Sequence, residues 1–212
     1  MSITREFLRR PLVTGAVAAS SARLAAAMTD GLALEEAATV VELGPGTGAI
    51  TDAILPRLAP GARLVAVELN PVLAARLAER YRGRVTVVGG SAADLAGIVP
   101  EPVDAVVSGL PWTVMPAALR RSVLDAVAAV LREDGRFSTF AYAHAGWTPP
   151  ARRFAAELAA RFSTVERSGT VWRNLPPAYV HRAHGPRVSS RGQRIPSGRG
   201  APDVRGPRWS GA

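Results

Sequence analysis

The sequence of 212 residues contains no cysteine and no lysine. Without cysteine it can form neither a disulfide framework nor a thiolate metal site. Its three histidines, His144, His181 and His184, are too scattered to indicate a metal centre, so we predict no bound metal. The complete absence of lysine beside abundant alanine indicates a compositional bias of the coding genome.

Long uninterrupted apolar runs are also missing. The longest charge-free runs, residues 105–119 and 137–151, contain proline or glycine and fall short of the roughly 18–20 residues that a membrane-spanning helix needs. Arg9 and Arg10 precede an alanine-rich stretch that imitates an export signal, but the stretch is short and broken by polar residues. The sequence therefore predicts a cytoplasmic protein that retains this stretch.

The net charge of +9 comes entirely from arginine. Residues 184–212 carry +5 of it, because six arginines there face one aspartate. This stretch is rich in glycine, proline and serine, and it lacks the apolar surface that would offset its ordering entropy. We predict a disordered basic tail over residues 184–212. The rest of the chain then carries only +4. Because the preference for arginine reflects the coding genome, this positive charge is weak evidence for nucleic-acid binding.

Residues 40–48 read Val-Val-Glu-Leu-Gly-Pro-Gly-Thr-Gly. The β-branched residues and the leucine predict a short buried strand, and the glycines predict a turn where backbone approaches a ligand closely. A helical pattern follows from Ala49 to Leu58. Strand, glycine turn and helix form the opening of a nucleotide-binding βαβ unit. The acid Glu42, placed just before the first glycine, suits a ligand that carries a positive charge.

Strand and helix patterns then alternate along the chain. The later strands are predicted over residues 63–68, 85–88, 103–108, 137–142, 164–171 and 178–182. One helix has apolar spacing at Leu73, Leu77 and Tyr81, the next ends near Asp134-Gly135, and another starts at Ala151 after two prolines. Five βα alternations predict an α/β fold with a mostly parallel sheet.

The N-terminal region has a different pattern. Ser2–Val13 mixes apolar side chains with three arginines and resembles a basic amphipathic segment, suited to an anionic membrane or to a lid over the ligand. Ser20-Ser21 predicts the cap of a helix that ends by Gly31. The predicted organisation is an amphipathic or lid region over residues 1–32, an α/β domain over residues 33–183, and the tail.

Glu-Leu-Gly-Pro-Gly-Thr-Gly at residues 42–48 resembles the first motif of class I S-adenosylmethionine (SAM) methyltransferases. The resemblance implies a Rossmann-like methyltransferase fold that ends in an antiparallel strand pair. It also implies SAM as the cofactor, bound beyond the carboxyl ends of the strands. It assigns cofactor binding to Glu42, Gly44, Gly46 and Gly48, and the two ribose hydroxyls to Glu68 at the end of the second strand.

The third strand is followed by Ser91 where related families have an acid that contacts the adenine amine. The resemblance therefore implies that Ser91, Ala92 and backbone N–H groups hold the adenine. Asp94 is interpreted as a helix-start residue. Ser108, at the end of the fourth strand, completes the predicted cofactor site.

The fourth strand runs into Ser108-Gly109-Leu110-Pro111-Trp112, which bears on the substrate. Adenine and rRNA dimethyltransferases resemble the chain up to this point, but they carry asparagine where Gly109 stands and an aromatic ring that stacks on the base. The same segment, with Met115-Pro116 after it, resembles bacterial phospholipid N-methyltransferases. That resemblance extends over residues 7–183 and is carried further by residues 11–21, 136–142 and 171–178.

The resemblance to the lipid enzymes implies methylation of a head-group amine of the phosphatidylethanolamine type at a membrane surface. Its predicted acceptor pocket is formed by Gly109, Leu110, Pro111, Trp112, Met115 and Tyr142. Tyr142, His144 and Tyr179 are candidates for taking the amine proton. The predicted partners are a phospholipid or small amine and an anionic membrane surface, and nucleic acid is disfavoured. An enzyme like the rRNA adenine methyltransferases, a small-molecule methyltransferase and a SAM-binding protein without catalysis are the alternatives.

Overall fold

A seven-stranded sheet forms the centre of the protein, whose computed structural model describes residues 20–187. The strands are β1 Thr39–Leu43, β2 Arg63–Glu68, β3 Thr86–Gly89, β4 Val103–Ser108, β5 Leu131–Tyr142, β6 Phe162–Arg167 and β7 Ala178–Pro186. Their order in the sheet is β3-β2-β1-β4-β5-β7-β6. Strands β1 to β5 pair in parallel, and β7 is antiparallel to both β5 and β6. The predicted α/β fold with a closing antiparallel pair is confirmed, and β2 and β4 have the predicted bounds.

Helices cover the sheet and connect its parallel strands. They are α1 Ala22–Thr29, α2 Ala49–Ile54, α3 Pro71–Arg80, α4 Leu95–Ile98, α5 Ala117–Val130 and α6 Pro149–Arg161. Three 3₁₀ turns, Leu55–Arg57, Ala92–Asp94 and Ala143–Ala145, extend or precede these helices. Within residues 20–187, every helix is too short or too polar to span a membrane.

Each face of the sheet has its own apolar core. On one face, α1 and α2 pack over Val40 and Val107. On the other face, α5 and α6 pack over Val41, Val106 and Phe137. The chain winds outward from β1 to β3 and then returns to place β4 on the other side of β1. This reversal leaves a crevice at the carboxyl ends of β1 and β4, where open α/β sheets bind ligands.

The long strand β5 begins earlier than the sequence indicates. The helical pattern predicts that the preceding helix ends near Asp134-Gly135, but β5 already begins at Leu131. Leu131 pairs with Val103, and regular pairing resumes only at Arg136, so residues 132–135 form an irregularity in the ladder. Sheet pairing, which the local pattern does not reveal, ends the helix.

Prolines account for two further differences at helix ends. The apolar spacing predicts one helix over residues 49–58, whereas α2 ends at Ile54 and a 3₁₀ turn containing Pro56 follows. Proline has no N–H to donate to the preceding turn of a helix. Pro149 and Pro150, expected to precede α6, instead form its first turn. A missing N–H is harmless there, because the first N–H groups of a helix have no helical partner.

Helix α1 packs as part of the central domain. Ser21 caps it, as predicted, by accepting a hydrogen bond of 3.2 Å from the N–H of Leu24. Leu24, Ala25 and Met28 are fully buried in the core that α2 shares. The domain therefore includes residues that the sequence assigns to the region before residue 33.

The C-terminal strand is longer than the sequence predicts. β7 continues to Pro186, three residues past the predicted domain end at residue 183, because Pro186 pairs with Phe162 of β6. The hydroxyl of Ser163 also donates a hydrogen bond of 2.9 Å to the carbonyl of His184. The start of the predicted disordered tail is thus part of the sheet. Residues 188–212 and the predicted amphipathic segment Ser2–Val13 lie outside the described residues.

Candidate cofactor and acceptor site

β1 passes into α2 through a turn that contains three glycines. Gly44, Gly46 and Gly48 have positive φ angles of 68°, 58° and 91°. This left-handed backbone favours glycine over residues with a Cβ atom. A Cβ on Gly46 would meet no atom within 4 Å, so the space beside it is open. The three predicted cofactor glycines therefore bring bare backbone to the carboxyl end of β1.

Tyr81, whose spacing in the sequence indicates only an apolar helix face, supports this turn from the end of α3. Its hydroxyl lies 3.0 Å from the carbonyl oxygen of Gly48 and 2.8 Å from Oδ1 of Asp52. Burial is the main cause that raises the pKa of Tyr81. A Cβ on Gly48 would overlap the Tyr81 hydroxyl. Glycine at this position is therefore favoured by the contact with Tyr81 as well as by backbone conformation.

Glu68 joins the end of β2 to the glycine turn. Its Oε2 accepts a hydrogen bond of 3.1 Å from the N–H of Gly46, and its Oε1 accepts one of 2.9 Å from the N–H of Asn70. The side chain is nearly buried. The carboxylate is thus held beside the turn that is predicted to bind the cofactor. This position agrees with the predicted ribose contact, which stays a prediction.

Glu42 is a fully buried acid at the end of β1. Its Oε2 accepts a hydrogen bond of 2.6 Å from the hydroxyl of Thr51, while its Oε1 has no partner among the described residues. Burial raises the pKa of Glu42 to about 8. A buried carboxyl group with one unsatisfied oxygen is stabilised by a cation placed beside it. The site therefore fits a ligand with a positive charge, as SAM has.

The two serines of the predicted cofactor site already hold backbone groups. Ser91 accepts a hydrogen bond of 3.2 Å from the N–H of Ala93 and so caps the 3₁₀ turn that Ala92 begins. Ser108 is buried, and its hydroxyl accepts one of 3.3 Å from the N–H of Leu110. Both lie at carboxyl ends of strands, where they shape the loops. Their contacts with adenine stay predictions.

Gly109 brings the loop after β4 against the glycine turn. Its N–H donates a hydrogen bond of 2.8 Å to the carbonyl of Leu43. A Cβ on Gly109 would lie 2.7 Å from the carbonyl oxygen of Gly44, which is closer than packed atoms approach. A Cβ on Gly44 would in turn lie 2.8 Å from Cδ2 of Leu110. The two loops are therefore in close contact at two glycines.

Trp112 is placed differently from the prediction that it lines an acceptor pocket. The side chain is only 2% exposed, and its ring stacks on Phe154 with centroids 5.2 Å apart. Its Nε1 donates a hydrogen bond of 2.7 Å to Thr139, whose hydroxyl donates one of 2.9 Å to the carbonyl of Ser108. α6 covers the ring, so Trp112 supports the loop from within the core. Met115 is buried as well, whereas Leu110 and Pro111 are partly exposed.

Arg120, in the first turn of α5, is a buried residue that no local sequence pattern identifies. Its Nε and Nη2 donate hydrogen bonds of 2.7 and 2.9 Å to the carboxylate of Glu157 in α6. Its Nη1 lies 3.4 Å from the carbonyl of Met115. The hydrogen bond from Arg120 is the main cause that lowers the pKa of Glu157. A partner 37 residues away leaves no local signal in the sequence.

Three aromatic side chains near the carboxyl end of β5 were candidates for taking a proton. Tyr142 is half-buried and stacks on His144 with ring centroids 5.8 Å apart. Burial raises the pKa of Tyr142, so it stays protonated at neutral pH. Tyr179 is buried beneath the guanidinium of Arg167, 3.6 Å from the ring centroid. Neither tyrosine is thus poised to act as a base.

His181, on β7, contacts both Tyr179 and Phe154 edge-on. Burial lowers its pKa to about 4, so it is neutral at physiological pH. The described part of the chain contains no cluster of three or more acids or histidines suited to a metal ion.

Comparison with known proteins agrees with this geometry. A methyltransferase domain family matches residues 40–135. The ornithine lipid N-methyltransferase of Singulisphaera acidiphila is 33% identical over 190 residues, which cover 87% of this chain and 95% of that enzyme. A probable ribosomal RNA small subunit methyltransferase A of Methanospirillum hungatei is 31% identical over 144 residues. That match covers 65% of this chain and only 52% of the relative.

Solved structures of methyltransferases share the fold. The N-methyltransferase NodS from Bradyrhizobium japonicum WM9, in complex with S-adenosyl-L-homocysteine, superposes with a TM-score of 0.64 at 17% identity. The alignment covers 88% of this chain and all of NodS. An O-methyltransferase from Bacillus cereus in complex with the same product also has a TM-score of 0.64, at 16% identity, covering 87% of this chain and 91% of that enzyme. At these identities the likeness concerns the fold alone.

The ornithine lipid enzyme is different, because its identity extends over nearly the whole of both chains. The aligned 190 residues cover both the cofactor half of the fold and most of the rest of the chain, since they amount to 87% of it. The protein is a class I S-adenosylmethionine-dependent methyltransferase, and it belongs to the family of the ornithine lipid N-methyltransferase.

Proposed function

We propose that this enzyme transfers a methyl group from SAM to the amine of a membrane-lipid head group. The sequence predicts an acceptor of the phosphatidylethanolamine type, and the name of the ornithine lipid N-methyltransferase adds a second lipid amine. Both lipids carry a primary amine on a head group that is linked to acyl chains. When bound, the cofactor supplies an electrophilic methyl group on a sulfonium ion. The protein must hold a neutral amine in line with that methyl group and exclude water.

The observation that carries this proposal is the contact between Gly109 and Gly44. Adenine methyltransferases that resemble this chain use an asparagine at the position of Gly109 to bind the target base. An asparagine here would need a Cβ 2.7 Å from the carbonyl oxygen of Gly44. The site therefore has no room for the side chain that orients a base. A flexible lipid amine has no ring to orient and does not need it.

The extent of the similarities supports the same conclusion. The ornithine lipid enzyme matches over 95% of its length. The ribosomal RNA enzyme of Methanospirillum hungatei matches over 52% of its length, and that of Acidobacterium capsulatum over 17%. Because about half or more of each of these two RNA enzymes lies outside the match, the similarity to them does not favour an RNA substrate.

Each predicted site residue has a role in this proposal. Cofactor binding is assigned to Glu42, Gly44, Gly46, Gly48, Glu68, Ser91, Ala92 and Ser108. The buried carboxyl of Glu42 stabilises positive charge, and Glu68 takes the ribose hydroxyls. The acceptor side is assigned to Gly109, Leu110, Pro111 and Tyr142, with Trp112 behind them as a support.

The acceptor arrives as an ammonium ion and must lose a proton before it attacks. The raised pKa of Tyr142 makes this hydroxyl a hydrogen-bond donor at neutral pH. Because neither tyrosine is poised as a base, we assign the proton to solvent water at the carboxyl edge of the sheet or to the exposed His144, the remaining candidate. The reaction belongs at the cytoplasmic surface of a membrane, and the role predicted for Ser2–Val13 in reaching it stays a prediction.

Mass spectrometry of the methylated product tests the function directly. The purified full-length protein is mixed with SAM labelled with deuterium in its methyl group and with one acceptor at a time. The acceptors are vesicles with phosphatidylethanolamine, vesicles with ornithine lipid, phosphatidylcholine vesicles without a free amine, free ethanolamine, and ribosomal RNA. We expect label in one or both amine lipids. Label in RNA alone, or in the soluble amine alone, would contradict the proposal.

A pair of variants controls this experiment. Glu68→Ala should abolish most of the labelling because it removes the carboxylate beside Gly46. Glu79→Ala changes an exposed acid on α3 and should leave the labelling unchanged. A protein that binds SAM but labels none of the acceptors would instead support the non-catalytic alternative.

A further inference from the structure

Five large apolar side chains are between 50% and 84% exposed among residues 20–187: Val72, Val114, Trp147, Trp172 and Leu175. Single exposed apolar side chains are common on protein surfaces. These five are unusual because of their positions in the sheet. Val72 lies in the first turn of α3, directly after β2. Val114 lies in the loop after β4, and Trp147 in the loop after β5.

Trp172 and Leu175 belong to the same edge, although they precede a strand. β7 is antiparallel to β5 and begins at Ala178, which pairs with Tyr142, the last residue of β5. The N–H of Ala143 also donates a hydrogen bond of 2.8 Å to the carbonyl of Pro177. All five exposed side chains therefore lie at the carboxyl edge of the parallel strands. We call this set the carboxyl rim, and it surrounds the edge that holds the cofactor site.

The charge of the carboxyl rim has one sign. The segments that contain its side chains are residues 69–78, 109–124, 143–156 and 168–177. Together they hold six arginines and no aspartate or glutamate. One of these arginines, Arg120, is used internally by Glu157, and the other five lie at the surface. Acids outside these segments also lie at the same edge. Glu68 is nearly buried, Asp52, in the first turn of α2, is paired with Arg80, and Asp94, after β3, is exposed.

A groove beside Trp172 adds to this surface. It has a volume of about 510 Å³ and lies between α1 and residues 170–173. Arg23, in the first turn of α1, and Arg173 line it near the carboxyl rim, and Asp30 lines it beyond the other end of the helix. The side chain of Asn174 connects the two walls by accepting a hydrogen bond of 2.9 Å from the N–H of Ser21.

We propose that the carboxyl rim docks on an anionic lipid bilayer, with Trp147, Trp172 and Leu175 entering the interface. Tryptophan is favoured at the interface between the acyl chains and water, and arginines attract anionic head groups. Exposed aromatic and aliphatic side chains beside basic residues are typical of surfaces that bind the membrane interface. RNA would also attract arginine and tryptophan. The aliphatic side chains of Val114 and Leu175, however, cannot stack on bases as aromatic rings do, so they favour lipid as the partner.

Docking at this edge would bring the mouth of the site to the height of the lipid head groups. An amine on a lipid could then reach the loop after β4 without leaving the bilayer. This consequence rests on the proposed function, whereas the docking itself does not require methyl transfer.

Vesicle sedimentation with the full-length protein tests the docking alone. The vesicles contain phosphatidylcholine, with or without phosphatidylglycerol, and the mixture contains neither an amine lipid nor SAM. We expect the partition coefficient of the double variant Trp147→Ala with Trp172→Ala to fall at least about tenfold, since membrane binding scales with buried apolar area. Trp147→Phe with Trp172→Phe is the matched control and should stay within about twofold of the wild type. Because the side chains are exposed, all variants should melt like the wild type.

A charge reversal tests the electrostatic part. Arg173→Glu should lower the partition coefficient by more than about fivefold on anionic vesicles only, and this effect should shrink as salt is added. Arg84→Glu makes the same change at the opposite, amino edge, before β3, and should have little effect. The proposal would be overturned if Arg173→Glu and Arg84→Glu had equal partition coefficients. It would also be overturned if the alanine double variant partitioned like the phenylalanine double variant. It would also be overturned if the tryptophan variants changed only self-association or RNA binding.

Failure of the docking can be distinguished from failure of the proposed function. Methylation of an amine lipid dissolved in detergent micelles, without any bilayer, measures the reaction alone. Suppose that the enzyme methylates the lipid in micelles, while the tryptophan and arginine variants bind vesicles as strongly as the wild type. This result would overturn the docking and leave the proposed function intact. Vesicle binding that depends on the carboxyl rim, without methylation of any lipid, would support the docking and contradict the function.

Discussion

The backbone N–H of Gly46 donates a hydrogen bond of 3.1 Å to Oε2 of Glu68, 22 residues away in the chain. It connects the turn after β1 with the end of β2 at the carboxyl edge of the sheet, next to the reversal of strand order between β1 and β4. The glycine turn is therefore anchored to the neighbouring strand by the acid that is predicted to bind the ribose. Cofactor affinity and the shape of the turn should depend on the same carboxylate.

Replacement of Glu68 by alanine should weaken SAM binding. The expected loss is about 1–3 kcal/mol, because ribose hydroxyls and the N–H of Gly46 would be left without an acceptor. Titration calorimetry on the folded variant measures it. Glu79→Ala, on the exposed face of α3, is the control. Unchanged affinity in Glu68→Ala would refute the assignment.

The buried Glu42 should make stability depend on pH. Burial raises its pKa from an ordinary 4.5 to about 8 in the folded protein. Between these values the folded state holds a proton that the unfolded state has released, so stability falls as pH rises from 4.5 to 8 and then levels off. Glu42→Gln stays neutral and should melt at least about 2–4 °C higher than the wild type at pH 8. Identical pH profiles of the two melting temperatures would contradict this expectation.

Cofactor binding should release a proton from Glu42. A positive charge beside this carboxyl favours its ionised form and lowers its pKa. Calorimetry at pH 7 in two buffers with different ionisation enthalpies should therefore give different apparent binding enthalpies for the wild type. Glu42→Gln should give the same enthalpy in both buffers. Equal behaviour of wild type and variant would place the charge of the cofactor away from Glu42.

A side chain at Gly109 should disturb the site without creating RNA specificity. Gly109→Asn forces a Cβ against the carbonyl oxygen of Gly44 and should lower the free energy of unfolding by about 1–3 kcal/mol. SAM binding should weaken with it, because the glycine turn must shift. Gly97→Ala is the control, since a Cβ there meets no atom within 4 Å. Chemical denaturation checks the stability, and a gain of RNA methylation by Gly109→Asn would contradict the interpretation.

Removal of the Arg120 side chain should be strongly destabilising. Arg120→Ala leaves the carboxylate of Glu157 without its partner at the contact between α5 and α6, and breaking such a buried pair costs about 3–5 kcal/mol. Arg82→Ala removes the exposed pair with Glu79 and should cost at most about 1 kcal/mol. Urea denaturation compares the two variants. Similar losses would mean that the Arg120–Glu157 pair does not hold α5 and α6 together more strongly than an exposed pair would.

Several features follow from the sequence because they depend on neighbouring residues. Local causes explain several elements. Runs of β-branched residues predict β1, β2 and β4, the conformational freedom of glycine predicts the turn at residues 44–48, and a capping hydroxyl predicts the role of Ser21. The alternation of elements also predicted the mostly parallel sheet. The prediction that Glu42 and Glu68 bind the cofactor rests on their places at the ends of strands that the pattern identifies.

Other features were decided only when the chain folded. Burial of Trp112 depends on Phe154 of α6, and Arg120 depends on Glu157, 37 residues later. The start of β5 at Leu131 depends on pairing with β4. Residue 109 must be glycine because the carbonyl oxygen of Gly44 lies against it. These two residues are in contact only because β1 and β4 are neighbours in the sheet. The sequence by itself determined the local elements and the acids at their ends. The tertiary structure decided which side chains remain open to an acceptor, because that depends on contacts between residues far apart in the chain.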